Sequence, residues 1–468
     1  MLQINRKIIG LTVLAMLALA GCNTSTSTKT AANQSGNVIF IHPDGTSASH
    51  WGAARMLNYG PDGRLNWDKM SNLGVYLGHL KNQLTATSNG GAVIHATGVK
   101  VNADSFGLDE SGQPIVAASG KPQTIMEEAV AAGKATAIIN SGIIPEPGTG
   151  AFIAKTKTRQ EFTEITKQIV NSGVDIILGG GEIFYLPKGT AGRYAKAEES
   201  QREDGLNLIE EAKKKGYTVV YTRDELLNLP ADTKKVLGIF AATDTYNDES
   251  EEDLKKKNLP LYVSDAPTVS QMLQATLKIV SQADGFFIVL EEEGSDNFCN
   301  YNNARGCIEA VKRADDAVGV AMEFIDKNPN TLLVTAADSD AGGLEVIGST
   351  TKDFPLDQPL PEKGENGASW DGKDGTGTLP FVSGPDKQGK NYPFAIAWSG
   401  SNDFTGSIVT KAHGLNAEKL PNTVDNTDIY RLMYLTLFGK EIPFSVGRKQ
   451  RSIPSIQNLL TRKRLPVG

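Results

Sequence analysis

No histidine closely follows Asp44, Asp296 or Asp338, the three aspartates to which the chain's most apolar short runs lead. There are only five histidines in 468 residues, so an imidazole-rich zinc centre has little material to draw on. Cysteine is scarcer still: one of three lies at position 22, leaving Cys299 and Cys307 as the one possible internal pair. Spacing alone leaves a disulfide and two free thiols equally open. There is no excess of positive charge. The formal net charge of -7 gives no global electrostatic reason to bind nucleic acid. No internal repeat is apparent, and beyond the N-terminus no stretch is long and apolar enough to span a bilayer.

What is present reads as a soluble globular protein, 40% apolar and 22% charged. At the N-terminus, Arg6 and Lys7 precede the apolar stretch Ile8 to Ala20, which fits a signal peptide and is short for a membrane span. It ends in Leu19-Ala20-Gly21-Cys22, similar to a bacterial lipoprotein cleavage box. The expectation is a signal over 1–21 and a lipidated Cys22 on a polar tether over 22–36, exported to face the periplasm or cell exterior. An ordinary secretory signal with a chance cysteine is the alternative. The C-terminal segment 441–468 carries Arg448, Lys449, Arg451, Arg462, Lys463 and Arg464, read as a solvated tail ahead of a patch touching anionic lipid.

From Asn37 to about residue 440 short β-rich runs alternate with longer helical stretches, the pattern of a single α/β domain with a doubly wound, mostly parallel sheet flanked by helices. Helices are expected over 48–56, 123–132, 160–172, 269–282 and 304–324, and strands over 75–80, 135–140 and 174–178. The runs leading to Asp44, Asp296 and Asp338 read as strands buried on both faces. Ligands in such sheets bind beyond the carboxyl ends of the strands, where converging carboxylates suit hard metal ions. Residues 243–257 read as a solvated loop and helix face, and 349–392 as a long surface insertion. Ser88 lies among small residues just ahead of a helix. It can cap that helix, or the helix N-terminus can hold an anion against its hydroxyl.

The order of these segments resembles the alkaline phosphatase family over roughly residues 37–438. The resemblance rests on Asp44-Gly45 after a strand, Ser88 followed nine residues later by Thr97-Gly98-Val99-Lys100, and Arg159. It rests also on the run Gly179 to Gly181, on Pro267 to Met272 with Gly285 to Glu291, and on Asp425 to Met433. It implies a phosphomonoesterase with a phosphoserine at Ser88, Arg159 as phosphate clamp, and a phosphate-ester substrate. It also implies Asp44, Asp296 and Asp338 as metal ligands, with Glu291 serving an accessory magnesium-like site.

Several positions depart from the family's pattern. Its zinc-binding histidines fall on Asn300, Ser339 and Phe404, its acidic residue before the nucleophile on Thr87, and its magnesium-binding threonine near Gly148, with Thr149 one place off. His42 and His413 are read as a strand-end and a surface histidine before they are read as ligands. His50, His79 and His95 are read as satisfied structural residues. Asp403 reads as a surface loop residue ahead of an oxygen ligand, and Glu292 and Glu293 as solvated. With Asn300 and Ser339 in place of imidazoles, the set is oxygen-only and favours Mg²⁺, Ca²⁺ or Mn²⁺ over Zn²⁺. The competing function is a catalytically silent relative that binds a phosphate ester or a partner; a phosphodiesterase or sulfatase variant ranks third.

Overall fold

The structure, a computed structural model, describes residues 35–445. The signal segment, Cys22 and the basic positions Arg448 to Arg464 lie outside the described residues. Strand β1 (Asn37–Pro43) shows why its run is apolar on both sides. Val38 and Phe40 belong to one core cluster, Ile39 and Ile41 to the other, and all four are fully buried. Burying each such side chain contributes about 1.5–3 kcal/mol. The alternation that would leave one face polar on a solvated strand is therefore absent.

The remaining strands of the central sheet are β2 (Asn72–Leu77), β3 (Ala135–Ile143), β4 (Ile176–Gly180), β5 (Thr218–Val220), β6 (Val236–Ile239), β7 (Phe286–Glu292), β8 (Thr331–Thr335), β9 (Val409–Gly414) and β10 (Thr423–Asp425). They form a ten-stranded sheet in the order β10-β2-β9-β8-β1-β7-β3-β4-β6-β5. Only β9 runs antiparallel to its neighbours. Because β1 lies between β7 and β8, the three strands that lead to the aspartates are adjacent at the centre.

Five helices matter to the site: α1 (Ala48–Tyr59), α2 (Ser88–Thr97), α3 (Gly294–Asn300), α4 (Ala304–Lys327) and α5 (Asn426–Phe438). In α4, Cys307, Val311, Ala314, Val318, Ala321 and Ile325 make a buried stripe at helical spacing, and Asn303 caps the first turn through the Gly306 N–H. Helix α4 covers the Ile39 side of the sheet, while α2 and α5 cover the Phe40 side. Cys299 in α3 and Cys307 in α4 are joined as a disulfide.

Two expectations change. Strand β2 begins and ends three residues earlier than 75–80. Residues 349–392 are not simply a surface loop: Trp370–Gly372, Gly375–Thr376 and Phe381–Val382 join Leu344–Gly348 and Pro393–Trp398 in a five-stranded antiparallel sheet. Phe354, Leu360 and Ala395 form a small core there. Strands this short carry no readable periodicity. Within 243–257, the helix Glu251–Lys257 has acids in its first turn and lysines in its last, matching the helix dipole.

Candidate active site

Asp44 follows β1, Asp338 follows β8 by three residues, and Asp296 lies in the first turn of α3 just beyond β7. The aspartates meet closely. A Cβ on Gly45 would lie 2.6 Å from Asp296 Oδ1, so only glycine lets the two segments approach. A Cβ on Gly91 would lie 2.5 Å from the Asp338 Cβ, which sets the start of α2 against that aspartate.

Ser88 opens α2 but does not cap it. Thr87 is the cap, accepting from the Gly90 N–H at 3.2 Å. This corrects the capping role considered for Ser88. Its residue is only 7% exposed, and among the described residues nothing hydrogen-bonds its hydroxyl. A hydroxyl that is left without a partner at a helix start is available to a ligand.

Glu291 lies one residue before the end of β7, where Asn140 of β3 donates to its Oε2 and also to Thr149 Oγ1. Glu292 and Glu293 are buried too, at 0% and 2% exposure, which overturns their reading as solvated. Ser141 holds Glu292, donating to its Oε1 at 2.7 Å, while Glu293 has one oxygen without a hydrogen-bond partner. Two groups of ligand atoms result, each lying within 4.8 Å: Asp44, Glu291 and Glu293, and His42, Asp44 and Asp338. Asp44 belongs to both.

A third cluster forms around Asp296. The Asn300 amide donates to both Asp296 oxygens, at 3.2 and 3.1 Å, and to Asp403 at 3.0 Å. Its carbonyl oxygen accepts from the Gly342 N–H. Asn300 therefore ties two acids together and in this arrangement offers no oxygen to an ion. Asp403 is not a free loop residue, because Asp403–Phe404 pairs with Asp340–Ala341 and carries it to Asp296. Burial raises the Asp403 carboxyl, and Ser339, buried beside it, opposes that rise.

Electrostatics mark the region as short of positive charge. Burial, reinforced by Asp44, raises Glu291 to about 8. Burial and neighbouring acids push Asp296, Asp338 and Glu293 well above the usual carboxylate range. Burial would raise Asp44 as well, but His42, 3.3 Å away, holds it low. Unpartnered oxygens remain on Asp44, Glu291, Glu293 and Asp338. Buried, unpaired carboxylates of this kind call for a cation, so the residues fit divalent metal binding.

Arg159 donates to Glu146 at 2.6 Å. Burial opposes its charge, but Glu146, Glu293 and Asp44 together favour the protonated form. Its remaining N–H groups have no partner among the described residues. Of the other histidines, His50 caps α1 and His95 bonds the Tyr76 hydroxyl. His50 also lies near Cys299 and Cys307, but the disulfide removes those sulfurs as ligands. His413 pairs with Leu333, in the middle of β8 and five residues before Asp338.

Comparison with known proteins identifies the family and the fold. The family model described as alkaline phosphatase matches residues 35–371. The chain is 25% identical over 444 residues to alkaline phosphatase of Escherichia coli strain K12, covering 86% of each chain. It is also 25% identical to alkaline phosphatase H of Pseudomonas aeruginosa over 439 residues, 84% of this chain and 83% of that protein. Among solved structures, Thermus thermophilus alkaline phosphatase superposes with a TM-score of 0.66 at 20% identity, covering 91% of this chain and 96% of that one. Alkaline phosphatase from the Antarctic bacterium TAB5 gives 0.64 at 18% identity, with 87% and 100% covered. With a family match over most of its length, this chain belongs to the alkaline phosphatase family.

Proposed function

We propose that this protein is a divalent-metal-dependent phosphomonoester hydrolase with Ser88 as nucleophile. The observation that carries this reading is the unpartnered Ser88 hydroxyl, on a residue only 7% exposed at the start of α2, where that helix packs on Asp338. Arg159 binds two phosphoryl oxygens of the ester with its free N–H groups. The Ser88 oxygen forms a bond to phosphorus as the P–O bond to the alcohol breaks. Ser88 loses its proton to solvent, and the departing oxygen gains one. Water then attacks the phosphoserine, releasing inorganic phosphate and restoring Ser88.

Asp44, Glu291 and Glu293 would hold one ion, and Asp338 with Asp44 another. When bound, such ions polarise phosphoryl oxygens and favour the ionised serine. The prevalence of carboxylate donors favours Mg²⁺, Ca²⁺ or Mn²⁺ over a zinc pair. Elemental analysis of protein purified without added metal tests this: two tightly bound zinc ions per chain would contradict it. The silent alternative draws on Asn300, whose amide locks Asp296 to Asp403. Hydrolysis of p-nitrophenyl phosphate across Mg²⁺, Ca²⁺, Mn²⁺ and Zn²⁺ decides between them. Turnover that disappears in Ser88→Ala supports the enzyme, whereas none with any metal favours the silent protein.

Export and a lipid anchor on Cys22 complete the reading, supported by the basic, apolar and Ala-Gly-Cys order of the first 22 residues. Labelling by a radioactive fatty acid that is lost in Cys22→Ser tests the anchor.

A further inference from the structure

We propose that His42 is a metal ligand, supplying a ring nitrogen to an ion shared with Asp44 and Asp338. The proposal rests on the metal-dependent reading above and adds a donor from inside strand β1, where the family motif places none. His42 and Asp44 lie two residues apart at the end of β1, and the side chains reach toward one another, with Nε2 3.3 Å from Asp44 Oδ1.

The Ala336 contact fixes which nitrogen is turned toward the acids: Nε2 faces Asp44, and an ion bound there would take the place of its proton. Nδ1 lies 2.7 Å from the carbonyl oxygen of Ala336, a pure acceptor, so Nδ1 carries a hydrogen. That contact is the second interaction that metal-bound imidazoles commonly make, orienting the ring and aiming the other nitrogen at the ion. Nε2 is buried and has no hydrogen-bond partner. It belongs with Asp44 and Asp338 to a group whose ligand atoms lie within 4.8 Å of one another. Two donors each about 2.1 Å from one ion at right angles stand roughly 3 Å apart, close to the His42–Asp44 separation.

Packing holds the ring in place. Phe40 lies 6.0 Å from it and His95 5.6 Å, centroid to centroid. The Ala336 carbonyl precedes Asp338 by two residues, so one strand end supplies both the orienting bond and a ligand. A nitrogen in the set tilts selectivity toward Mn²⁺ over Mg²⁺ or Ca²⁺.

The test is pulsed EPR on the full chain loaded with Mn²⁺, with and without ¹⁵N-labelled histidine. We expect a directly bound nitrogen that changes isotope signature with the label and disappears in His42→Gln while Mn²⁺ remains bound. The same variant should weaken Mn²⁺ binding by about tenfold or more and Mg²⁺ binding by less. If His42→Gln does not fold, His95→Phe replaces the other nearby ring, and the nitrogen signal must persist in it. Bound Mn²⁺ with no histidine nitrogen overturns the proposal and leaves the metal-dependent reading standing. No bound Mn²⁺ in the wild type removes both.

Discussion

Gly148 faces Glu291 so closely that a Cβ built on it would lie 1.8 Å from Oε1. The position near which the family has a magnesium-binding threonine is thus filled by the Glu291 carboxylate itself, with Glu293 as a further acid of the same group. Any larger residue at 148 must displace Glu291. Gly148→Ala is expected to weaken Mg²⁺ or Mn²⁺ binding by about tenfold, read by isothermal titration calorimetry. Unchanged affinity would show that Glu291 is not a ligand.

Thr87 caps α2, and in the proposed reaction Ser88 beside it carries the chemistry. Ser88→Ala is expected to lower turnover of p-nitrophenyl phosphate by about three orders of magnitude or more with unchanged stability. Thr87→Ala removes the cap of α2 and should cost about 1 kcal/mol, read as a lower urea midpoint, while the nucleophile survives. Equal loss of activity in both variants would contradict the division.

Arg159 is held by Glu146 through one guanidinium nitrogen, which leaves its other N–H groups for the phosphoryl group of the proposed reaction. Arg159→Lys keeps the charge and loses the fork. The expected result is a fall in kcat/KM of about 10–100-fold, the cost of one or two charge-assisted hydrogen bonds. A fall below threefold, on the order of the noise in such comparisons, would remove Arg159 as the clamp.

Away from the site, Glu251 and Asp371 give a pH signature. Burial, then Asp371, raises Glu251 to about 8, and burial raises Asp371 to about 6 against hydrogen bonds from Thr376 and Trp398. Both values exceed those of the unfolded chain. The folded state therefore holds protons that the unfolded state releases, and stability falls as pH rises. The contribution is intact below about pH 4 and is lost as pH climbs through 6 and 8. Comparing wild type with Glu251→Gln cancels the other acids. The difference in thermal midpoint should shift in favour of the variant between pH 5 and 8, and a flat difference would contradict the assignment.

Much of this site was legible in the sequence because the strand-end aspartates reflect the sheet directly. Two-sided apolar runs must lie in the middle of a parallel sheet, so Asp44, Asp296 and Asp338 had to emerge near one another. Ser88, Arg159 and Glu291 became legible through the order of family motifs. Glu293 did not, because a run of three glutamates looks solvated by composition; only its place beyond a central strand buries it. Asp403 reaches Asp296 through a two-residue strand pairing with Asp340–Ala341, far away in sequence and too short for any periodic signal. His42 looked like a strand residue, and its free nitrogen emerges only from the Ala336 contact across the sheet.

In the proposed reaction Ser88 is phosphorylated during turnover in the presence of a divalent ion. Acid quenching of the protein during p-nitrophenyl phosphate hydrolysis, followed by peptide mass spectrometry, tests it directly. One phosphoryl group is expected on Ser88 in the metal-loaded wild type, absent after metal chelation and absent in Ser88→Ala. Rapid metal-dependent hydrolysis that persists in Ser88→Ala, with no phosphoserine at any quench time, would contradict it.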